Sequence, residues 1–155
     1  MGIGTDTTPH NMIEEIRKAS TYARLAARDL ETVSSEMMFH AATVGGATAL
    51  MRDDIGRLAP GMKADLVLVD LDNPWMQPAR DPLRSLIFHA ADRAVKDVYV
   101  DGRQVVADGK VRTIDHADAC SRLTEGHARM MAKVPQRDYR GRTADEITPL
   151  SLEVV

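Results

Sequence analysis

The chain of 155 residues contains one cysteine, Cys120. That count excludes an internal disulfide framework and any cysteine-rich zinc site. Long apolar runs are also missing: none approaches the roughly 18 residues of a membrane span, and no signal peptide opens the chain. A reduced, cytoplasmic protein without a membrane partner is the expectation. Charge of one sign is not in excess, since 20 Lys and Arg stand against 23 Asp and Glu for a net charge of −3. With a pI near 5.9, no nucleic-acid partner is expected. The opening Met1-Gly2-Ile3-Gly4-Thr5-Asp6 misses the myristoylation pattern, because Asp6 stands where Ser or Thr is needed. Gly2-Ile3-Gly4 begins a dinucleotide fingerprint, but Thr7 replaces its third glycine and no full strand precedes it. Internal repeats and low-complexity segments are absent.

What is present has a globular balance, 44% hydrophobic and 28% charged residues. It suffices for one ordinary domain or two small ones with a sizeable core. Met1 to Gly4 reads as the end of a buried strand. Thr8 can cap a following helix, Pro9 suits its first position, and Ile13, Ile16, Ala23, Ala27 and Leu30 mark its apolar face to about Asp29. Ser34 or Ser35 caps a second helix carrying Met37, Met38, Ala41 and Ala42. It meets Gly45-Gly46, a pair that implies a helix break or a close backbone approach. Pro60-Gly61 centres a turn-rich stretch. Leu66-Val67-Leu68-Val69 reads as a strand buried on both faces, and residues 82 to 91 as a helical turn or two. Val95 to Val106 is a hairpin about Asp101-Gly102. A last helix opens at Asp115 or His116 and is stopped by Pro135. The chain leaves one strand and one hairpin, a small sheet with open edges.

Asp6 is the sharpest candidate for chemistry. It lies between a strand end and a helix N-terminus, where the helix dipole and free amides favour an ionised carboxylate. Metal ligation and general-base work both need that form, but a capping or turn aspartate is the commoner occupant of such a place. His10, four residues on, could face the same pocket. None of the five histidines (His10, His40, His89, His116, His127) forms His-x-His or His-x-x-x-His, so no local zinc motif exists. His40 and His127 read as core-edge or packing residues, and the pairs Met37-Met38 and Met130-Met131 as gap-filling core. Cys120, with His116 one turn earlier, is not expected to be a nucleophile. Arg137, Arg140 and Arg142 read as a solvated surface or a contact with a partner subunit.

Two stretches together resemble the amidohydrolase superfamily, in the branch of cytosine and guanine deaminases and triazine hydrolases. Gly4-Thr5-Asp6, leading through Pro9-His10-Asn11-Met12 into Glu14-Glu15-Ile16-Arg17, is similar to the end of the eighth barrel strand and its following helix. Ala41 to Ala47 and Ile55-Gly56-Arg57-Leu58-Ala59-Pro60-Gly61-Met62-Lys63-Ala64-Asp65-Leu66-Val67-Leu68-Val69-Asp70 resemble the return from the barrel into a small β-sandwich. Val98 to Val106 resembles a later sandwich hairpin.

The resemblance implies an α/β fold: the C-terminal end of a metal-dependent (β/α)8 hydrolase barrel plus part of a β-sandwich. Residues 1–52 would be the mostly helical barrel remainder and 53–112 a partial sandwich with a helical insertion near 82–91. Residues 113–134 would be a C-terminal helix and 135–155 an extended tail. It further implies that Asp6 is both metal ligand and catalytic proton shuttle, with His10 and Asn11 as substrate-binding residues. The cofactor would be a divalent metal, zinc or iron, and the substrate a small heterocycle. The family's His-x-His and its other histidines have no counterpart here. Roughly 250 residues of barrel lie outside the match, and catalytic zinc takes about three protein ligands. The isolated chain is therefore expected to be inactive and to bind no metal alone, its partner being the missing N-terminal barrel portion or a second copy. The alternative is a non-catalytic partner-binding or oligomerisation module derived from such an enzyme.

Overall fold

The computed structural model describes residues 1–6 and 10–152. The expected cap at Thr8 and helical start at Pro9 lie outside the described residues. The chain divides into two compact units, Met1–Thr113 and Ile114–Val155.

In the first unit, helix α1 spans Met12–Ala27. Its N-cap is Asn11, whose Oδ1 accepts the Glu14 amide at 3.2 Å, and Glu14 and Glu15 in the first turn complement the helix dipole. It ends two residues before the expected Asp29, at a left-handed Arg28. Helix α2 spans Ser35–Ala42 with Ser34 as cap, and α3 spans Val44–Ala49. The break between them falls at Thr43, where φ is −112° and ψ −90°, and not at the glycine pair. Gly45 and Gly46 lie inside α3, which leaves close approach as their role.

Ile16, Val33, Met38 and Ile87 form the buried centre of this helical layer, with Ile3, Ala19, Ala23, Leu83 and Phe88 packed around it. Ile87 comes from a compact helical passage: α4, Pro82–Ser85, then a π-turn at Leu86–Ala90 and a 3-10 turn at Ala91–Ala94. The expected turn or two near 82–91 is thus an irregular helical passage through Ala90, followed by a separate 3-10 turn. The π-turn faces two ways. Ile87 enters the helical core while Ala90 joins Met76 and Ala94 in a second cluster, against which Leu86 and Val69 pack. The Arg17 Nε donates to Ile87 O at 2.8 Å, tying α1 to this passage. Ala91, buried with φ of 51°, ends the π-turn. Trp75, in a 3-10 turn at Pro74–Met76, lies under the Arg93 guanidinium at 4.9 Å.

The sheet is an antiparallel meander of four strands in the order β1-β2-β3-β4. Its strands are β1 (Leu66–Val69), β2 (Val95–Val100), β3 (Arg103–Ala107) and β4 (Lys110–Val111). The turns at Asp101-Gly102 and Asp108-Gly109 have positive φ at both residues, the backbone that matches a two-residue hairpin to strand twist. Ala64 and Asp65 pin the first hairpin: Asp101 N donates to Asp65 Oδ1 at 2.6 Å and Gly102 N to Ala64 O at 3.0 Å. β1 is a sheet edge, and in place of the expected burial on both faces Val67 and Leu68 are 53% and 46% exposed.

In the second unit, α5 spans His116–Met131, capped by Asp115, which accepts the amides of Ala117 and Asp118. Its charged face pairs Arg122 with Asp118 and Arg129 with Glu125 at the i,i+4 spacing. The helix ends before Pro135, which falls in a new short turn, α6, Val134–Arg137. α7, Ala144–Ile147, follows with a Thr143–Glu146 capping box. The stretch expected to be an extended tail therefore carries helical turns. His40 and His127 are exposed and not packing residues, and Cys120 is exposed 3.7 Å from His116 Nδ1.

Candidate functional site

The segment Met1–Asp6, expected to include a buried strand end, lies outside helices and strands and carries Asp6 at its end, six positions before α1 opens at Met12. Ile3 anchors it through its side chain in the helical core and its amide, which donates to Ala41 O at 3.2 Å. The segment touches the α2–α3 junction without side chains between. A Cβ added at Gly45 would lie 2.3 Å from Met1 O, and one added at Gly2 would lie 3.1 Å from Gly46 Cα. Beyond this contact Asp6 is exposed, in the left-handed region at φ 46°. Aspartate tolerates that backbone better than most side chains, and strained residues gather where a fold holds a reacting group in place.

His10 is exposed immediately before the N-cap. Asn11 is half-buried, its side-chain oxygen engaged by the Glu14 amide, so its amide nitrogen is the end left to meet a ligand. Asp6 and His10 have no hydrogen-bond or ion-pair partner among the described residues. Among the described residues, surface hollows lie elsewhere: along α5 about Asp118 and Arg122, beside α3 about Thr48 and Arg52, and at the end of α1 about Arg24 and Arg28. Among the described residues no three His, Cys, Asp or Glu side chains converge on one point. A metal held at Asp6 would need its remaining ligands from outside these residues.

Sequence reasoning missed two features near this segment. One is the depth of the Gly45 contact, whose only signal is the glycine pair itself. The other is Arg17, whose Nη2 is buried without a partner among the described residues while its Nε donates to Ile87 O; nothing in its helical position announces that.

The sequence model of the amidohydrolase family matches residues 1–105, from the Met1–Asp6 segment into β3. The chain belongs to the amidohydrolase family. It is 38% identical over 132 residues to a 5-methylthioadenosine/S-adenosylhomocysteine deaminase of Natronomonas pharaonis, covering 83% of this chain and 30% of that protein. An adenosine deaminase from Xanthomonas campestris with bound zinc superimposes with a TM-score of 0.72 at 33% identity, over 76% of this chain and 27% of that one. The zinc complex of atrazine chlorohydrolase from Arthrobacter aurescens gives 0.66 at 25% identity, over 73% of this chain and 25% of that one. The chain thus spans about three-tenths of the length of the curated relatives it matches. It is a partial α/β piece of the architecture of these amidohydrolases. No helix among the described residues is long and apolar enough to cross a membrane.

Proposed function

We propose that this chain supplies the Asp6 carboxylate to the active site of a metal-dependent amidohydrolase that deaminates, or hydrolyses a related C–N bond of, a cyclic nitrogenous compound. One observation carries the reading. Within the family match, the segment seated on the α2–α3 junction ends at an exposed, left-handed aspartate just ahead of a helix. In this reading residues 1–52 belong to the closing end of the barrel and 53–112 to the sandwich beside it.

Asp6 takes a proton from the attacking water on one carboxylate oxygen. As the water oxygen bonds to the ring carbon and the C–N bond breaks, Asp6 returns the proton to the departing nitrogen, acting as base and then acid. Its exposure lets water and substrate reach both oxygens. The divalent metal, zinc foremost and iron second, supplies Lewis-acid polarisation in the complete enzyme. Its other ligands come from outside the described residues, so the isolated chain is inactive. His10 and the Asn11 amide nitrogen contact the substrate, a heterocycle with an exocyclic amino group such as the methylthioadenosine in the relatives' names.

The test is a chimaera in which this chain replaces the matched stretch of the Natronomonas pharaonis deaminase. Deamination of 5-methylthioadenosine is expected, with Asp6→Asn lowering kcat about a hundred- to ten-thousandfold, the usual range for a proton-transfer group. An Asp6→Asn chimaera with undiminished kcat sinks the assignment. A second reading, a partner-binding or oligomerisation module, is favoured by the exposed edge strand β1 with Val67 and Leu68 uncovered. It predicts a monodisperse oligomer of the 155-residue chain that Val67→Lys dissociates. A monomer at all concentrations argues against it.

A further inference from the structure

We propose that Gly45 is a positioning residue: by bringing no side chain to the α2–α3 junction, it sets the height at which the Met1–Asp6 segment lies and hence where the Asp6 carboxylate is presented. The inference rests on the reading of Asp6 as the reacting carboxylate, and it deepens that reading. The two backbones meet at a pair of reciprocal points, Met1 O over Gly45 and Gly2 over Gly46. At Gly45 the space for a methyl is absent. Its Cβ would stand 2.3 Å from Met1 O and 3.3 Å from His40 O, where ordinary contact begins near 3.4 Å.

One partner must therefore move by about 1 Å, and the anchorage decides which. Gly45 is held inside a hydrogen-bonded helix, with Ala47 N bonded to Thr43 O at 3.0 Å and Leu50 N to Gly46 O at 3.1 Å. The segment is held outside helices and strands by the Ile3–Ala41 bond and by the Ile3 side chain. The segment yields. A displacement of about 1 Å at a reacting group, caused from a distance, can cost about a hundredfold in rate.

The three glycines form a graded series. Gly46→Ala meets nothing nearer than Ala41 O at 3.8 Å, Gly2→Ala meets Gly46 Cα at 3.1 Å, and Gly45→Ala meets Met1 O at 2.3 Å. Two measurements read it. In the 155-residue chain, hydrogen exchange at the Ile3 amide is expected to be unchanged in Gly46→Ala, faster in Gly2→Ala, and faster by at least about tenfold in Gly45→Ala, as a locally opened bond would be. In the chimaera, kcat is expected to fall in the same order, to about a hundredth for Gly45→Ala, with KM unchanged.

A purely structural role would lower the melting temperature without that split. If Gly45→Ala fails to fold, Gly2→Ala decides, since it leaves the helix untouched. Unchanged Ile3 exchange in both variants overturns the proposal, as does unchanged kcat in both while Asp6→Asn is inactive. If Asp6→Asn itself stays active, the functional reading has failed, and the Ile3 exchange still decides whether Gly45 seats the segment.

Discussion

Removing the side chain of Ile87 tests the account of the core most directly. Ile87 is fully buried, lies at the centre of the helical layer, and reaches Ile16, Val33 and Met38 from the π-turn. Ile87→Ala deletes three carbon groups, worth about 0.8 kcal/mol each in transfer from water. The space left is walled by α1 on one side and the turn tied to Arg17 on the other, so collapse into it is resisted and a cavity cost of about 1 kcal/mol is added. The expected loss is about 3 to 4 kcal/mol, a large share of the roughly 5–15 kcal/mol that holds an ordinary domain. Ile87→Val should cost only about 1 kcal/mol. Urea denaturation followed by far-ultraviolet circular dichroism reads both as midpoint shifts, with slopes of about 1–3 kcal/mol/M. An Ile87→Ala loss below about 1 kcal/mol at unchanged slope would refute the packing argument, because a fully buried isoleucine in a closed core cannot be that inexpensive to truncate.

Gly56 has φ of 90° and a space that a Cβ would enter 2.8 Å from Ala47 Cβ and 3.1 Å from Thr43 O. Gly56→Ala is expected to lower stability by about 2 kcal/mol or more through strain and overpacking together, read as a fall in melting temperature. In the second unit, Asp138 is held well below the usual carboxylate range, first by the Arg142 side chain and then by the amides of Arg142 and Arg140. Because its folded pKa is depressed, that stabilisation is complete above the unfolded value near 3.9 and drains away as pH falls below it. The protection of the Arg140 and Arg142 amides, their exchange measured against the unstructured-peptide rate at the same pH, should fall on acidification below about pH 4 and lose this pH dependence in Asp138→Asn. A flat profile in the native chain would count against the Asp138 turn.

Much of the fold was legible because local chemistry and tertiary outcome agree. Asp101-Gly102 reads as a hairpin since only residues tolerant of positive φ make that turn, and Ser34 and Asp115 cap the helices they precede. Thr143 and Glu146 carried an equally local signal, and the tail's turns are where it led. Other features depend on what a residue meets across the fold. Leu66 to Val69 has the composition of a doubly buried strand, yet its position at a sheet edge leaves Val67 and Leu68 in the open. The glycine pair implied a helix break or a close approach, and the Met1 carbonyl that makes the approach tight is more than forty residues away. At the candidate site, Asp6 stood out by its place ahead of a helix N-terminus, although the segment before it, expected to end a strand, lies outside helices and strands. The left-handed backbone of Asp6 is a consequence of packing that no spacing rule contains, whereas the cap at Asn11, three residues before Glu14, carried a local signal.

Trp75 stacked beneath Arg93 has a practical consequence. It is the chain's sole tryptophan, and it sits in the loop leading to the passage between sheet and helices. The second unit holds no indole, only the exposed phenol of Tyr139. Red-edge excitation therefore lights the first unit alone, and the emission reports on the surroundings of the Trp75 ring beneath Arg93. A fluorescence trace and a helical dichroism trace recorded on one sample would follow different parts of the chain, and any gap between their midpoints would measure how independently the two units melt.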